Sequence, residues 1–137
     1  MSRQLFVNLP VRDLAKATAF YAAIGAQKNP QFSDDTAACM VISDSIFVML
    51  LTYPKWSSFT PKPIVDAKRE NEVMLALSCD SREAVDQITE TAGANGGIAD
   101  ISPKDEYDFM YGRSFEDPDG HAWGPFFMDL SKMPKQA

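Results

Sequence analysis

Few residues in this sequence could carry chemistry, and their spacing excludes most of the familiar reactions. His121 is the only histidine, so the two imidazoles of a two-His-one-carboxylate iron centre cannot be assembled. Cys39 and Cys79 lie in apolar, strand-like stretches without CxxC spacing, which reads as two buried thiols, not a disulfide, a metal pair or a nucleophile. Serines and lysines occur without nucleophile-base spacing, and there is no GxSxG, P-loop or GxGxxG pattern. Asp105, Glu106 and Asp108 form an acidic run that reads as a solvated loop or, more sharply, as an attractor for a cationic ligand. Arg113, set among Phe109, Met110, Tyr111 and Phe115, is either the buried partner of a carboxylate such as Glu116 or Asp129, or an anchor for an anionic group. Catalysis by a familiar motif is not visible in these residues.

The elements that position these residues come from an internal repeat. LFVNLPVRDLAKATAFYAAIGA, from Leu5 to Ala26, reads as a strand, a turn at Asp13, and a helix near Leu14 to Ile24 closed by Gly25. VMLALSCDSREAVDQITETAGA, from Val73 to Ala94, reads the same way, with a helix near Arg82 to Ala92 and Gly93 as its C-terminal cap. Superposing the two glycines gives an offset of 68 residues, which pairs Leu9 with Leu77, Ala17 with Val85 and Phe20 with Ile88. Three short strands follow each helix: about Gln27 to Phe32, Ala37 to Ser43 and Ile46 to Thr52, then Ile98 to Ile101, Phe109 to Glu116 and His121 to Asp129. Asp117-Pro118-Asp119-Gly120 is a turn, and His121 belongs to it.

Each half is therefore βαβββ. The predicted organisation is one domain: module 1 at about 1–52, a connecting segment at 53–71, module 2 at about 72–130 and a frayed tail at 131–137. The connection carries three prolines together with Trp56 and Phe59, and is expected to be a lid or an arm that packs on a neighbouring subunit.

Composition bounds the function. With 13 Lys and Arg against 19 Asp and Glu the net charge is -6, which repels a phosphate backbone, so nucleic acid is not an expected partner. The longest apolar run, Ile46 to Leu51, is far short of the roughly 20 residues that span a bilayer, so no membrane helix is expected. Asn8, Pro10, Arg12 and Asp13 interrupt any apolar signal region near the start, and the expected location is cytoplasmic.

VRDLAKATAFYAAIGA near the start and FEDPDGHAWGPFFMD near the end of this repeat resemble the vicinal oxygen chelate superfamily of glyoxalase I, extradiol dioxygenases and bleomycin-resistance proteins. The resemblance implies an α+β fold in which two βαβββ modules form curved, mostly antiparallel sheets around a cleft. In metal-using members, His and Glu from the first and last strands of each module hold one divalent ion. The positions matching those ligands here are Phe6 and Met49 in the first half and Met74 and Gly124 in the second. None can serve a hard or borderline ion, so no metal and no other cofactor is expected.

Strand alternation puts Phe6, Asn8, Phe47, Met49, Met74, Gly124 and Phe126 on the concave side, with Leu51 and Ala76 in phase. Tyr111, Arg113 and Trp56 are the rim candidates, with Tyr107 beside them. Such a surface suits a small hydrophobic or cationic organic molecule. The readings are a binding protein or metal-free enzyme of this kind, a metal-dependent glyoxalase-type lyase, isomerase or dioxygenase, and a non-catalytic structural dimer module. A homodimer is expected, because open curved sheets leave edges that a second copy would cover.

Overall fold

The computed structural model describes residues 3–133, and the last tail residues, 134–137, lie outside them. The chain divides into two compact units, one running through Glu70 and the other from Asn71 onward. The first follows the βαβββ order, and the second carries five short strands after its helix in place of three.

In the first unit, β1 (Leu5–Val11), β2 (Gln27–Asn29), β3 (Ala37–Val41) and β4 (Ile46–Thr52) form a sheet ordered β1-β4-β3-β2. The β1/β4 pair is parallel and the others are antiparallel. Helix α1 (Leu14–Ala23) begins where Asp13 accepts the Lys16 N–H at 3.0 Å, and packs Ala17, Phe20 and Tyr21 against the sheet. Strand alternation gives that side of the sheet Leu9, Val48, Leu50, Ala38 and Met40, all buried. β2 stops at Asn29, short of the expected Phe32, because Pro30 starts a 3-10 turn that Asn29 caps through the Gln31 N–H at 3.0 Å.

Gly25 follows α1 at φ +111, a conformation open to glycine, and no heavy atom lies within 4 Å of where a Cβ would stand. Gly25→Ala is therefore expected to cost about 1 kcal/mol through the backbone alone, read as a fall in urea midpoint at unchanged m-value.

The second unit holds β5 (Met74–Ser78), α3 (Arg82–Ala94), β6 (Ile98–Ala99), β7 (Asp105–Glu106), β8 (Met110–Gly112), β9 (Phe115–Glu116) and β10 (Ala122–Met128). β10 is central, parallel to β5 on one side and antiparallel to β8 and β9 on the other. The expected strand from Phe109 to Glu116 is interrupted between β8 and β9, although both keep one register: Phe126 opposes Gly112 and Trp123 opposes Phe115. The gap falls at Pro125. Arg113 N–H donates to the Pro125 carbonyl at 3.1 Å, but proline has no N–H to return the bond.

Gly93 is not the cap of α3. The helix continues to Ala94, Asn95 caps it, and Gly96 takes the positive φ of 97. Gly93 instead lets β6 approach, since a Cβ there would meet the Ala99 Cβ at 3.2 Å. The acidic run is only partly a loop: Asp105 and Glu106 are β7, hairpinned to β8, while Asp108 lies in the bend between the two strands. After Asp129 the chain forms a 3-10 helix over Leu130–Lys132, where the start of a frayed tail was expected.

The connecting segment is fastened to the first unit. Helix α2 (Tyr53–Phe59), capped by Thr52, packs on β1 and β4, and the Arg12 guanidinium pairs with Asp66 at 3.2 Å while lying 6.0 Å from the Tyr53 ring centre. No helix of the described residues is long and apolar enough to cross a membrane.

Candidate functional site

The face of the first sheet opposite α1 carries four of the predicted side chains together. In the parallel register Phe6 stands opposite Phe47 and Asn8 opposite Met49. The two phenyl rings stack at 4.4 Å between centres with planes 8° apart. Phe6 keeps 46% of its surface exposed. Val41 and Cys39 of β3 continue the same face beside Phe47 and Met49. Asn8 is exposed, and its amide N–H reaches the Phe6 carbonyl at 3.5 Å.

The equivalent face of the second sheet holds Met74 and Ala76 on β5 opposite Ala122 and Gly124 on β10, with Phe126 beyond. Met74 is 79% exposed. A Cβ on Gly124 would meet nothing nearer than the Arg113 carbonyl at 3.8 Å, so packing does not demand glycine there. The two registers reproduce the sequence alignment: Asn8/Met49 and Ala76/Gly124 are corresponding strand pairs.

Tyr111 and Arg113 belong elsewhere. Register with Phe127 and Pro125 turns them to the α3 side of the sheet, away from Gly124 and Phe126. Arg113, with a side chain only 4% exposed, donates to Asp100 through Nε at 3.0 Å and Nη2 at 2.7 Å, to Glu90 at 2.8 Å and to Asp86 at 3.1 Å. These partners replace the expected Glu116 or Asp129, and they leave the guanidinium no role as an anchor for a substrate anion. The signal for them was the i,i+4 pair Asp86 and Glu90 on the polar face of α3. Tyr111 donates its hydroxyl to Asp86, and burial together with that carboxylate pushes its pKa up to about 12, so it stays a donor. The Tyr111 hydroxyl first and then Arg113 hold Asp86 below the usual carboxylate range, and Arg113 does the same for Asp100.

The remaining candidates are structural in their surroundings. Trp56 lies half-buried on α2. His121 closes the DPDG turn, its backbone N–H donating to Asp117 at 2.9 Å. Burial pushes both thiols up, and neither is in a disulfide; Cys79 is also raised by Asp80. Sequence reasoning missed a groove of about 540 Å³ beside α1, lined by Ala15, Ala19, Lys28, Asp35 and the buried Ala38.

The residue chemistry decides the metal question. In the first unit the matching positions are a phenylalanine and a thioether, in the second a thioether and a glycine, and this donor set does not fit a divalent ion. Among the described residues no group of three or more His, Cys, Asp or Glu is arranged to hold one.

Comparison with known proteins gives a consistent result. The profile of the Glyoxalase/Bleomycin resistance protein/Dioxygenase superfamily matches residues 3–124. A hypothetical protein of S. aureus is similar in structure with TM-score 0.77 and 27% identity, over 93% of this chain and 95% of that one. A glyoxalase/bleomycin resistance protein/dioxygenase family enzyme from Burkholderia phytofirmans superposes with TM-score 0.73 at 18% identity, over 93% and 99% of the two chains. The fosfomycin resistance protein FosX of Listeria monocytogenes gives 0.67 at 22% identity, over 96% and 97%. A search of curated proteins finds no match.

Proposed function

Because the chain belongs to the Glyoxalase/Bleomycin resistance protein/Dioxygenase superfamily, we propose that it binds a small hydrophobic or cationic organic molecule on the Phe6/Phe47 face of its first sheet. The observation that carries this reading is the Phe6/Phe47 stack. An aromatic pair packed at 4.4 Å on a sheet face, with Phe6 half exposed, has apolar surface and a negative ring face to offer a ligand. The net charge of -6 favours cations over anions in the surrounding field.

The experiment is a thermal-shift screen of hydrophobic and cationic metabolites, in which a binder present at about 100 times its Kd should raise stability by about 2.7 kcal/mol. Metal analysis of protein purified without chelator, with a methylglyoxal-glutathione hemithioacetal assay, tests the lyase reading. Near-stoichiometric nickel or zinc with turnover would replace the present proposal with that one.

A homodimer completes the reading. Among the described residues β1 and β5 each pair on one side only, and they expose Leu5 at 60% and Met74 at 79%. Phe59, 67% exposed on α2 with the Lys55 ammonium 5.2 Å from its ring centre, is a further anchor. Sedimentation at micromolar concentration should show a wild-type dimer that Trp56→Ala with Phe59→Ala weakens. A wild-type monomer rejects the dimer, and a fully dimeric double variant rejects the part played by α2.

A further inference from the structure

Asn8 is the residue on the aromatic face that the fold does not explain. Asparagine is depleted in strands, and Asn8 sits mid-strand in β1, where its neighbours on the same face are Phe6, Pro10, Phe47, Met49 and Leu51. No carboxylate or cation is among them. Its hydrogen bond, to the Phe6 carbonyl, is 3.5 Å long and at the limit of such a bond. The carboxamide oxygen and the second amide N–H are left available. The repeat supplies an internal control: the corresponding position in the second unit is Ala76, and that strand forms with the same parallel pairing to its neighbour. The sheet therefore has no need of a polar side chain at this point.

The stack fixes where a planar ligand can lie. Phe6 and Phe47 each have one ring face occupied by the other, and β1 ends its sheet, so no described strand of that sheet lies beyond Phe6. Residues two apart on a strand stand roughly 6.6 Å from each other, about the width of a six-membered ring with one substituent. A ring laid against Phe6 thus brings its substituent to Asn8. A carboxamide offers a donor and an acceptor side by side, and pairs best with an edge that offers the complementary two.

Building on the binding function proposed above, we infer that Asn8 determines specificity there. It selects planar aromatic or heteroaromatic molecules with an adjacent donor and acceptor on one edge: primary amides, lactams and amino-heteroaromatics. The ring stacks on Phe6, and the edge forms two hydrogen bonds with the Asn8 carboxamide.

The test uses benzamide, N,N-dimethylbenzamide and benzamidine as probes, followed through the backbone amide signals of Phe6 and Phe47 in NMR titrations of the full chain. Wild type should bind benzamide about tenfold more tightly than N,N-dimethylbenzamide, which has lost both donors. Asn8→Leu should bring that ratio close to one while both still bind. Asn8→Asp should turn the preference to benzamidine, whose cationic edge carries two donors. Asn8 is exposed, so both variants should keep the wild-type melting temperature. An unchanged ratio in Asn8→Leu overturns the role of Asn8 and leaves the aromatic platform standing. Failure of every probe to move the Phe6 and Phe47 signals in wild type overturns the platform and the specificity together.

Discussion

Replacing Arg113 by methionine is expected to destabilise the protein by about 3 kcal/mol, read as a loss of roughly 10 °C in melting temperature. The buried guanidinium makes four charge-assisted contacts with three carboxylates, two of them a fork onto Asp100. Methionine fills much of the volume and none of the contacts. It also leaves Asp86, Glu90 and Asp100 facing one another with only the Lys104 ammonium as a counter-charge. The loss is held below what an enclosed triad would show because the carboxylates remain 36% to 69% exposed and can regain water. Arg113→Lys restores the charge but not the fork, and should recover only part of the stability. Among the acids, Asp100→Asn should cost the most and Glu90→Gln the least. Asp100 takes both tines and is the least exposed, and its φ of 57 is one that asparagine also tolerates, so the substitution removes charge without backbone strain.

The same cluster sets an acid limit. Asp86 and Asp100 ionise more readily in the folded chain than in the unfolded one, where their pKa is about 3.9. Their contribution to stability is therefore complete above that value and disappears as pH falls through their lowered folded values. Urea midpoints measured from pH 6 down to pH 2 should fall in that acid window, and Arg113→Met should flatten the fall. An Arg113→Met protein with the wild-type acid slope would place the linkage elsewhere.

What could be read from the sequence followed from periodicity, and what could not followed from side-chain partners. Alternation and the offset of 68 placed Phe6, Asn8, Phe47 and Met49 on one face before any coordinates, because a strand allows only two orientations. Tyr111 and Arg113, expected at the rim for their polar groups and not from alternation, turn to the α3 side instead. Their face depends on the register of β8 against β10, which a sequence with an interrupted strand does not announce. Pro125 was visible throughout, yet its effect appears only when Arg113 is known to lie opposite it. Gly93 shows the same limit: a glycine near a helix end reads as a cap in the sequence, while its use is the close approach of Ala99 from β6. Local chemistry predicts turns and caps well when both partners are near in sequence, as with Asp13 and Lys16, and poorly when one partner comes from another element.

Phe6→Ala is expected to weaken whichever ligand the screen identifies by one to two orders of magnitude, the worth of about 1–3 kcal/mol of stacking. Phe6 contributes a ring whose free face is the platform, whereas Phe47 supports that ring from the other side. Phe47→Ala should therefore weaken binding less than Phe6→Ala, and the double variant should do little more than Phe6→Ala alone, since the two act as one unit. Stability separates this from simple unfolding. Phe6 is 46% exposed, so its truncation removes little buried surface and should cost at most about 1.5 kcal/mol, far less than a core phenylalanine such as Phe20 or Phe115, whose loss would cost about 3–5 kcal/mol. Phe32→Ala is the matched control, an exposed aromatic at 65% on the 3-10 turn after β2 and outside the candidate face. If Phe6→Ala and Phe32→Ala lower affinity equally, the ligand does not sit on the Phe6/Phe47 stack. If Phe6→Ala alone lowers it, the position at which metal-using relatives place a histidine serves here as the binding platform.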